Sequence, residues 1–295
     1  MGSGMIEMRQ LGRSGLRSSA LGMGCARLGS LLATAGRRDA ERALEAALAE
    51  GIRFFDTADS YAQGDSERLL GRVLGRADGV TIATKAGYRL PAPGWVLRLA
   101  KPPLRLAARL SGALDRSVDA RRRRGFRQCF APAHLARALH ASLRRLGRGR
   151  VDLFMLHGPP PELAGSEALW RFVDDARSAG DLRCFGVSCG GGELDIAWLR
   201  QPAVEVVQLP FGPIRTVSDA FLATAAGRGI GVVAREILGG PGRHDEAAVA
   251  AALRAVLAEP TVGVALVGMT RAAHVRATAA LARTIATAPA LARRA

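Results

Sequence analysis

Four polar residues in this chain stand where proton-transfer chemistry would need them. Asp56 and Tyr61 share the segment GIRFFDTADSY, Lys85 ends VTIATK and His157 ends VDLFMLH. Each segment contains an apolar, β-branched or aromatic run that reads as a buried parallel strand, with the polar residue at or just past its C-terminal end. A tyrosine hydroxyl donates a proton from an ordinary pKa of about 10, and lowering that by two or three units takes roughly 3 to 4 kcal/mol. An ammonium about 4 Å away supplies about 4 kcal/mol at an effective dielectric of about 20. Lys85 is therefore expected to lower the Tyr61 pKa, with Asp56 keeping the lysine charged. His157 can donate to the same oxygen as negative charge develops there. Of the 42 basic residues only Lys85 and Lys101 are lysine. A lysine kept at a strand end of so arginine-biased a chain points to chemistry, because arginine cannot imitate a compact ammonium with a movable pKa. Taken singly, Asp56 could cap a turn, Tyr61 could pack with its hydroxyl outward and His157 could be a satisfied core residue. Four together on three strand ends point to a proton-donating site.

The elements that must position these residues recur along the chain. Strands are expected at 19–24, 52–57, 80–85, 151–157, 183–188, 204–209, 230–235 and 262–268, with 3.6-residue apolar patterns between them, from DAERALEAALAE through GELDIAWLR (192–200) to RAAHVRATAALAR. Eight βα units predict a closed (β/α)8 TIM barrel, a fold that gathers its chemistry at the C-terminal ends of the strands. Gly51, Gly147, Gly180 and Gly229 fall where helices stop, a position suited to left-handed glycine. MRQLGRSGLRS reads as a small β-hairpin ahead of the first barrel strand. Residues 86–131 form an insertion after the third strand, far longer than an ordinary βα loop, and its amphipathic, basic middle is expected to be a lid. No linker or shift of composition divides the chain, so residues 1–295 are expected to be a single domain.

Composition narrows the function. The net charge is +16, but the arginines are scattered and aromatics make up only 5%. No stacking platform is interleaved with the basic residues, so nucleic acid is not an expected partner. Cys25, Cys129, Cys184 and Cys189 show neither a CxxC pair nor metal-ligand spacing, and no metal is expected. With no signal peptide and no apolar run of about 18 residues, the reading is a reduced, cytoplasmic protein without a membrane partner. Oligomeric state is left open.

The segments RQLGRSGLRSSALGMG, GIRFFDTADSYAQGDSERLLGRVL, TIATKAGY, SLRRLGRGRVDLFMLHGPP, AGDLRCFGVSCGG, VVQLPFG and VALVGMTRAAHV, in this order, resemble the aldo-keto reductase family. The resemblance implies an NAD(P)H-dependent oxidoreductase that reduces an aldehyde or ketone to an alcohol, or runs the reverse. It implies Tyr61 as general acid, Asp56 and Lys85 as its tuning pair and His157 as orienter of the carbonyl. A nicotinamide cofactor, NADPH or alternatively NAD(H), would lie on Gly24, Cys25, Asp56, Ser188, Cys189, Gln208 and Arg235. Gly268, Met269, Thr270, Arg271 and His274 would cradle its phosphates, with Thr278 beyond. Three departures stand out. Cys189 replaces a common asparagine, Arg235 a common aromatic, and Ala277 with Thr278 a Glu-Asn pair. They leave a non-catalytic or regulatory nucleotide-binding barrel as the alternative. The implied substrate is a small carbonyl compound, with Tyr88, Trp95 and Phe126 as candidate pocket walls.

Overall fold

The computed structural model of the chain describes residues 5–28, 36–75, 77–89, 127–212, 217–239 and 245–287. The interior of the insertion, 90–126, lies outside them, and with it Trp95 and Phe126. The described chain opens on a hairpin in which β1 (Met8–Gln10) pairs antiparallel with β2 (Arg17–Ser19), Met8 opposite Ser19. Barrel strands β3 (Leu21–Gly24), β4 (Phe54–Asp56) and β5 (Thr81–Ala86) follow. The ends of the insertion then meet as a two-stranded ribbon, β6 (Tyr88–Arg89) against β7 (Arg127–Gln128). Strands β8 (Val151–His157), β9 (Leu182–Ser188), β10 (Val206–Pro210), β11 (Gly231–Arg235) and β12 (Val262–Gly268) close a parallel barrel on β3. All eight barrel strands overlap the segments expected from the sequence.

The helices among the described residues are α1 (Arg37–Ala49), α2 (Asp65–Leu74), α3 (Pro132–Leu146), α4 (Glu167–Ser178), α5 (Ile196–Leu199), α6 (Asp219–Gly227), α7 (Glu246–Leu257) and α8 (Ala272–Thr287). Their ends follow local chemistry. Pro132 opens α3, and Ser166, Ser218 and Asp245 accept backbone N–H bonds at the starts of α4, α6 and α7. Gly51, Gly147, Gly180 and Gly229 all adopt positive φ, at 86°, 64°, 77° and 64°. One expected helix is cut short. The pattern over 192–200 begins as a 3-10 turn, Glu193–Asp195, and becomes α-helix only over Ile196–Leu199. There Asp195 Oδ2 accepts from the Gly191 and Gly192 N–H groups at 2.8 and 3.2 Å, which ties the start of the helix to the preceding loop.

Apolar residues form two layers. The larger lies between strands and helices; the smaller fills the barrel with Phe54, Leu153, Met155, Val206, Val233, Val264 and Leu266. Gly22 makes room for this filling, since a Cβ on it would come within 2.7 Å of Leu266 and Val264. Leu11 and Leu16 of the hairpin belong to the same inner cluster and plug the N-terminal end. Among the described residues, no helix is long and apolar enough to cross a membrane, and no cluster of His, Cys, Asp or Glu could hold a metal ion.

Candidate active site

Parallel register brings the expected residues to one level. Asp56 lies beside Gly24 and Ala83, Lys85 beside Met155, and His157 beside Ser188, which in turn lies beside Gln208. From that row a continuous polar chain crosses the barrel mouth. Ser188 Oγ donates to Gln208 Oε1 at 3.0 Å, Gln208 Nε2 donates to Asp56 Oδ1 at 2.7 Å, and Lys85 Nζ donates to the same Oδ1 at 2.5 Å. Lys85 is 1% exposed and Asp56 5%. A buried ammonium of this kind keeps its charge only when paired.

Tyr61 follows β4 in a short 3-10 turn, Tyr61–Gly64, and its ring meets two other groups. The Lys85 ammonium lies 5.2 Å from the ring centroid, and the His157 ring sits edge-on at 5.9 Å. The Tyr88 ring also meets His157 edge-on, at 5.0 Å. Tyr61, Tyr88 and His157 line a cavity of about 320 Å³ together with Ser188, Cys189, Gln208 and Arg235. The structure thus joins the four expected catalytic residues to part of the expected cofactor set. The cavity also uses Gly158, Pro159, Gly190, Asp195 and Glu236, which the sequence reading did not single out. A signal existed for two of them: the Gly190–Gly192 run just past a strand end, and Glu236 next to the already suspected Arg235.

The electrostatics differ from expectation at Tyr61. Burial, then the Asp56 carboxylate, push its hydroxyl above the ordinary tyrosine range, while Arg235 pulls it down. The expected lowering by Lys85 does not dominate, because the ammonium is directed onto Asp56. Lys85 is itself lowered by burial against the opposing pull of Asp56. His157 falls from 6.5 to about 3, through burial and then the Lys85 and Arg235 charges, so its ring is neutral at ordinary pH. Its Nδ1 is enclosed and has no hydrogen-bond partner among the described residues.

The remaining cofactor candidates divide. Arg235 donates to the Cys189 carbonyl at 3.2 Å and pairs with Glu236 at 2.5 Å, and Glu236 adopts φ 58°. Cys25 is buried beside Asp56, and its N–H donates to the Asp56 carbonyl at 2.8 Å. Cys189 is buried too, its thiol pushed up to about 12 by desolvation and then by Asp195. At the end of β12, Gly268 is exposed with open space where a Cβ would stand, and Arg271 and His274 are exposed at the start of α8. Met269 instead joins the hydrophobic core, and Thr278 is buried on α8.

A closed parallel barrel thus gathers a tyrosine, a paired lysine and a neutral histidine at the C-terminal ends of its strands, where a cavity opens. The sequence profile described as "Aldo/keto reductase family" matches residues 20–248, and the chain belongs to that family. It is 33% identical over 197 residues to pyridoxal 4-dehydrogenase of Microbacterium luteolum, covering 61% of this chain and 55% of that protein. The chain spans about half the length of several curated relatives it matches, between 50% and 64% for three of them. Among solved structures, an aldo-keto reductase from Pseudomonas aeruginosa superposes with TM-score 0.76 at 21% identity, covering 96% and 98% of the two chains. One from Klebsiella pneumoniae, in complex with NADP and acetate, gives 0.66 at 20%, covering 93% and 89%. At these identities the structural likeness speaks for the fold.

Proposed function

We propose that this protein is an NADPH-dependent reductase of small aldehydes or ketones, with Tyr61 as proton donor. The observation that carries the reading is the meeting of Tyr61 and His157 on one cavity, with the buried Lys85–Asp56 pair set against the Tyr61 ring. The residues present suit the cofactor. The mouth offers hydroxyl, amide and guanidinium groups at Ser188, Gln208 and Arg235, and β12 ends in an open glycine ahead of a helix N-terminus suited to phosphate. Gly24, Cys25, Ser188, Cys189, Gln208 and Arg235 would hold the nicotinamide end, and Gly268, Thr270, Arg271 and His274 the phosphates. When bound, the reduced nicotinamide supplies a hydride to the carbonyl carbon.

The chain's own residues handle the proton. A raised Tyr61 pKa keeps the phenol protonated at neutral pH, so the donor is present before the substrate arrives. As the proton leaves for the carbonyl oxygen, the Lys85 ammonium offsets the charge forming on the phenolate. Asp56 holds that ammonium in place. Neutral His157 offers a ring N–H to the same carbonyl oxygen without adding a charge to a buried site.

Titrating the protein with NADPH, NADP+ and NADH, and then measuring turnover on an aldehyde panel that includes pyridoxal and aldoses, tests the reading. NADPH binding with turnover on at least one aldehyde supports it. Tight cofactor binding without turnover on any compound would favour a nucleotide-binding barrel instead.

A further inference from the structure

Behind Tyr61 lies a second ionic cluster that the chemistry above leaves unused. Glu67, on the first turn of α2, is 0% exposed. Its Oε1 accepts from Thr84 Oγ1 at 2.6 Å, and its Oε2 from Arg145 Nε at 2.5 Å. Thr84 immediately precedes Lys85 on β5. Arg145, on the last turn of α3, also donates to Ser142 Oγ at 3.1 Å, and its stem lies over Gly64, where a Cβ would stand 2.7 Å from Arg145 Cδ.

Gly64 ends a run of three left-handed residues that directly follows Tyr61: Ala62 at φ 50°, Gln63 at 57° and Gly64 at 83°. Each non-glycine residue in that region costs about 1 to 2 kcal/mol, and such strain persists only where the surroundings over-determine it. Arg145 is the group that lies over this turn. The segment leading into it is anchored at Asp59, whose N–H donates to the Lys85 carbonyl at 3.0 Å. Asp59 Oδ1 is enclosed and has no hydrogen-bond partner among the described residues.

We propose that Arg145, Glu67 and Asp59 are the positioning element of Tyr61, holding the left-handed turn that presents the phenol and tying it to the strand that carries Lys85. The inference rests on Tyr61 being the proton donor. Among the described residues the cluster has one cation for two carboxylates, so it is balanced when Asp59 carries a proton and holds a surplus anion when it does not. The charges acting on Asp59 are Glu67 from α2 and Arg145 from α3, and the Lys85 ammonium of β5 is directed onto Asp56. Burial and then Glu67 raise the Asp59 carboxyl to about 7, against the pull of Arg145. Ionisation of Asp59 near neutrality therefore places an unpaired charge under the turn and loosens it.

The test compares Arg145→Ala, Arg145→Lys and Asp59→Asn with the parent protein, each alone and with Tyr61→Phe. A misplacement of about 1 Å at a reacting group costs about 100-fold. Arg145→Ala is expected to lower kcat by about that factor while the NADPH Kd stays unchanged, and Arg145→Lys to restore part of it. The parent kcat should fall as pH rises through about 7, and Asp59→Asn should remove that break. In the Tyr61→Phe background neither Arg145→Lys nor Asp59→Asn should change the residual rate. If Arg145→Ala does not fold, the other two variants carry the decision. Parent-like kcat and pH profile in Arg145→Lys and Asp59→Asn, where Tyr61→Phe is inactive, would overturn the positioning role alone. Full activity in Tyr61→Phe would overturn the proton-donor reading first.

Discussion

The two ends of the barrel are made by the same strands and carry opposite chemistry. At the N-terminal end Leu11 and Leu16 fill the inner core, and arginines close the hairpin against the barrel through backbone carbonyls. Arg13 donates to Pro202 and Val204 at 2.9 and 3.2 Å, Arg9 to Val262 and Leu257 at 3.0 and 3.1 Å, and Arg183 to Gly15 at 2.8 Å. Ser18 Oγ, enclosed without a partner among the described residues, is an exception there. At the C-terminal end the balance is reversed. His157 Nδ1, Asp59 Oδ1 and Gln63 Oε1 are enclosed and have no hydrogen-bond partner among the described residues, and Ala62, Gln63 and Glu236 adopt left-handed backbone. Among the described residues, left-handed non-glycine backbone is thus confined to the reactive end, while the plug at the opposite end supplies packing. Such strain is sustained by a scaffold that is stable elsewhere.

The largest expected effect breaks the comparison at the reactive end. Tyr61→Phe should lower kcat by about 10²- to 10⁴-fold with the NADPH Kd unchanged, because the variant loses the donated proton and keeps the ring. Stopped-flow hydride transfer with a fluorescence titration of the cofactor would show it. At the plug, Leu11→Ala should cost about 2 to 5 kcal/mol in urea unfolding, the usual range for a fully buried leucine, and leave kcat within about twofold. A matching loss of kcat would mean that the two ends are coupled.

A pH series sharpens the contrast. The folded-state pKa of His157, about 3, lies below its ordinary 6.5, so between these values the unfolded chain binds more protons than the native one. Its contribution to stability is complete above about 6.5 and is lost as pH falls toward 3. His157→Gln should flatten that acid limb of the unfolding midpoint. Asp59 works in the opposite sense, its stabilising protonation being lost as pH rises from 3.8 to about 7, and Asp59→Asn should flatten that limb instead. The smallest effect belongs to the seal. Arg183→Ala removes one exposed bond to the Gly15 carbonyl and should cost no more than about 1 kcal/mol in urea unfolding, with kinetics unchanged.

The barrel was legible because its signals are local. Apolar β-branched runs ending in Asp56, Lys85 and His157 announce strands and the level of the site together, and glycines such as Gly147 mark helix ends through a conformation that other residues resist. The four polar residues at the strand ends could be placed for the same reason, since each is attached to such a run. The helix expected over 192–200 was overestimated because Asp195 engages the Gly191 and Gly192 N–H groups, a competition that periodicity does not register.

What the sequence by itself determined is the order of eight βα units and the residue types at their ends, because periods of two and 3.6 and a handful of turn residues specify them. Which groups then share an environment was decided by tertiary structure. Arg145 reaches Glu67 across 78 positions, and Gln208 reaches Asp56 across 152. The direction of the Tyr61 pKa depended on the same closure: proximity to lysine favoured a fall, and burial with Asp56 close by produced a rise. Desolvation and pairing depend on three-dimensional surroundings, and these exist only once the barrel has closed.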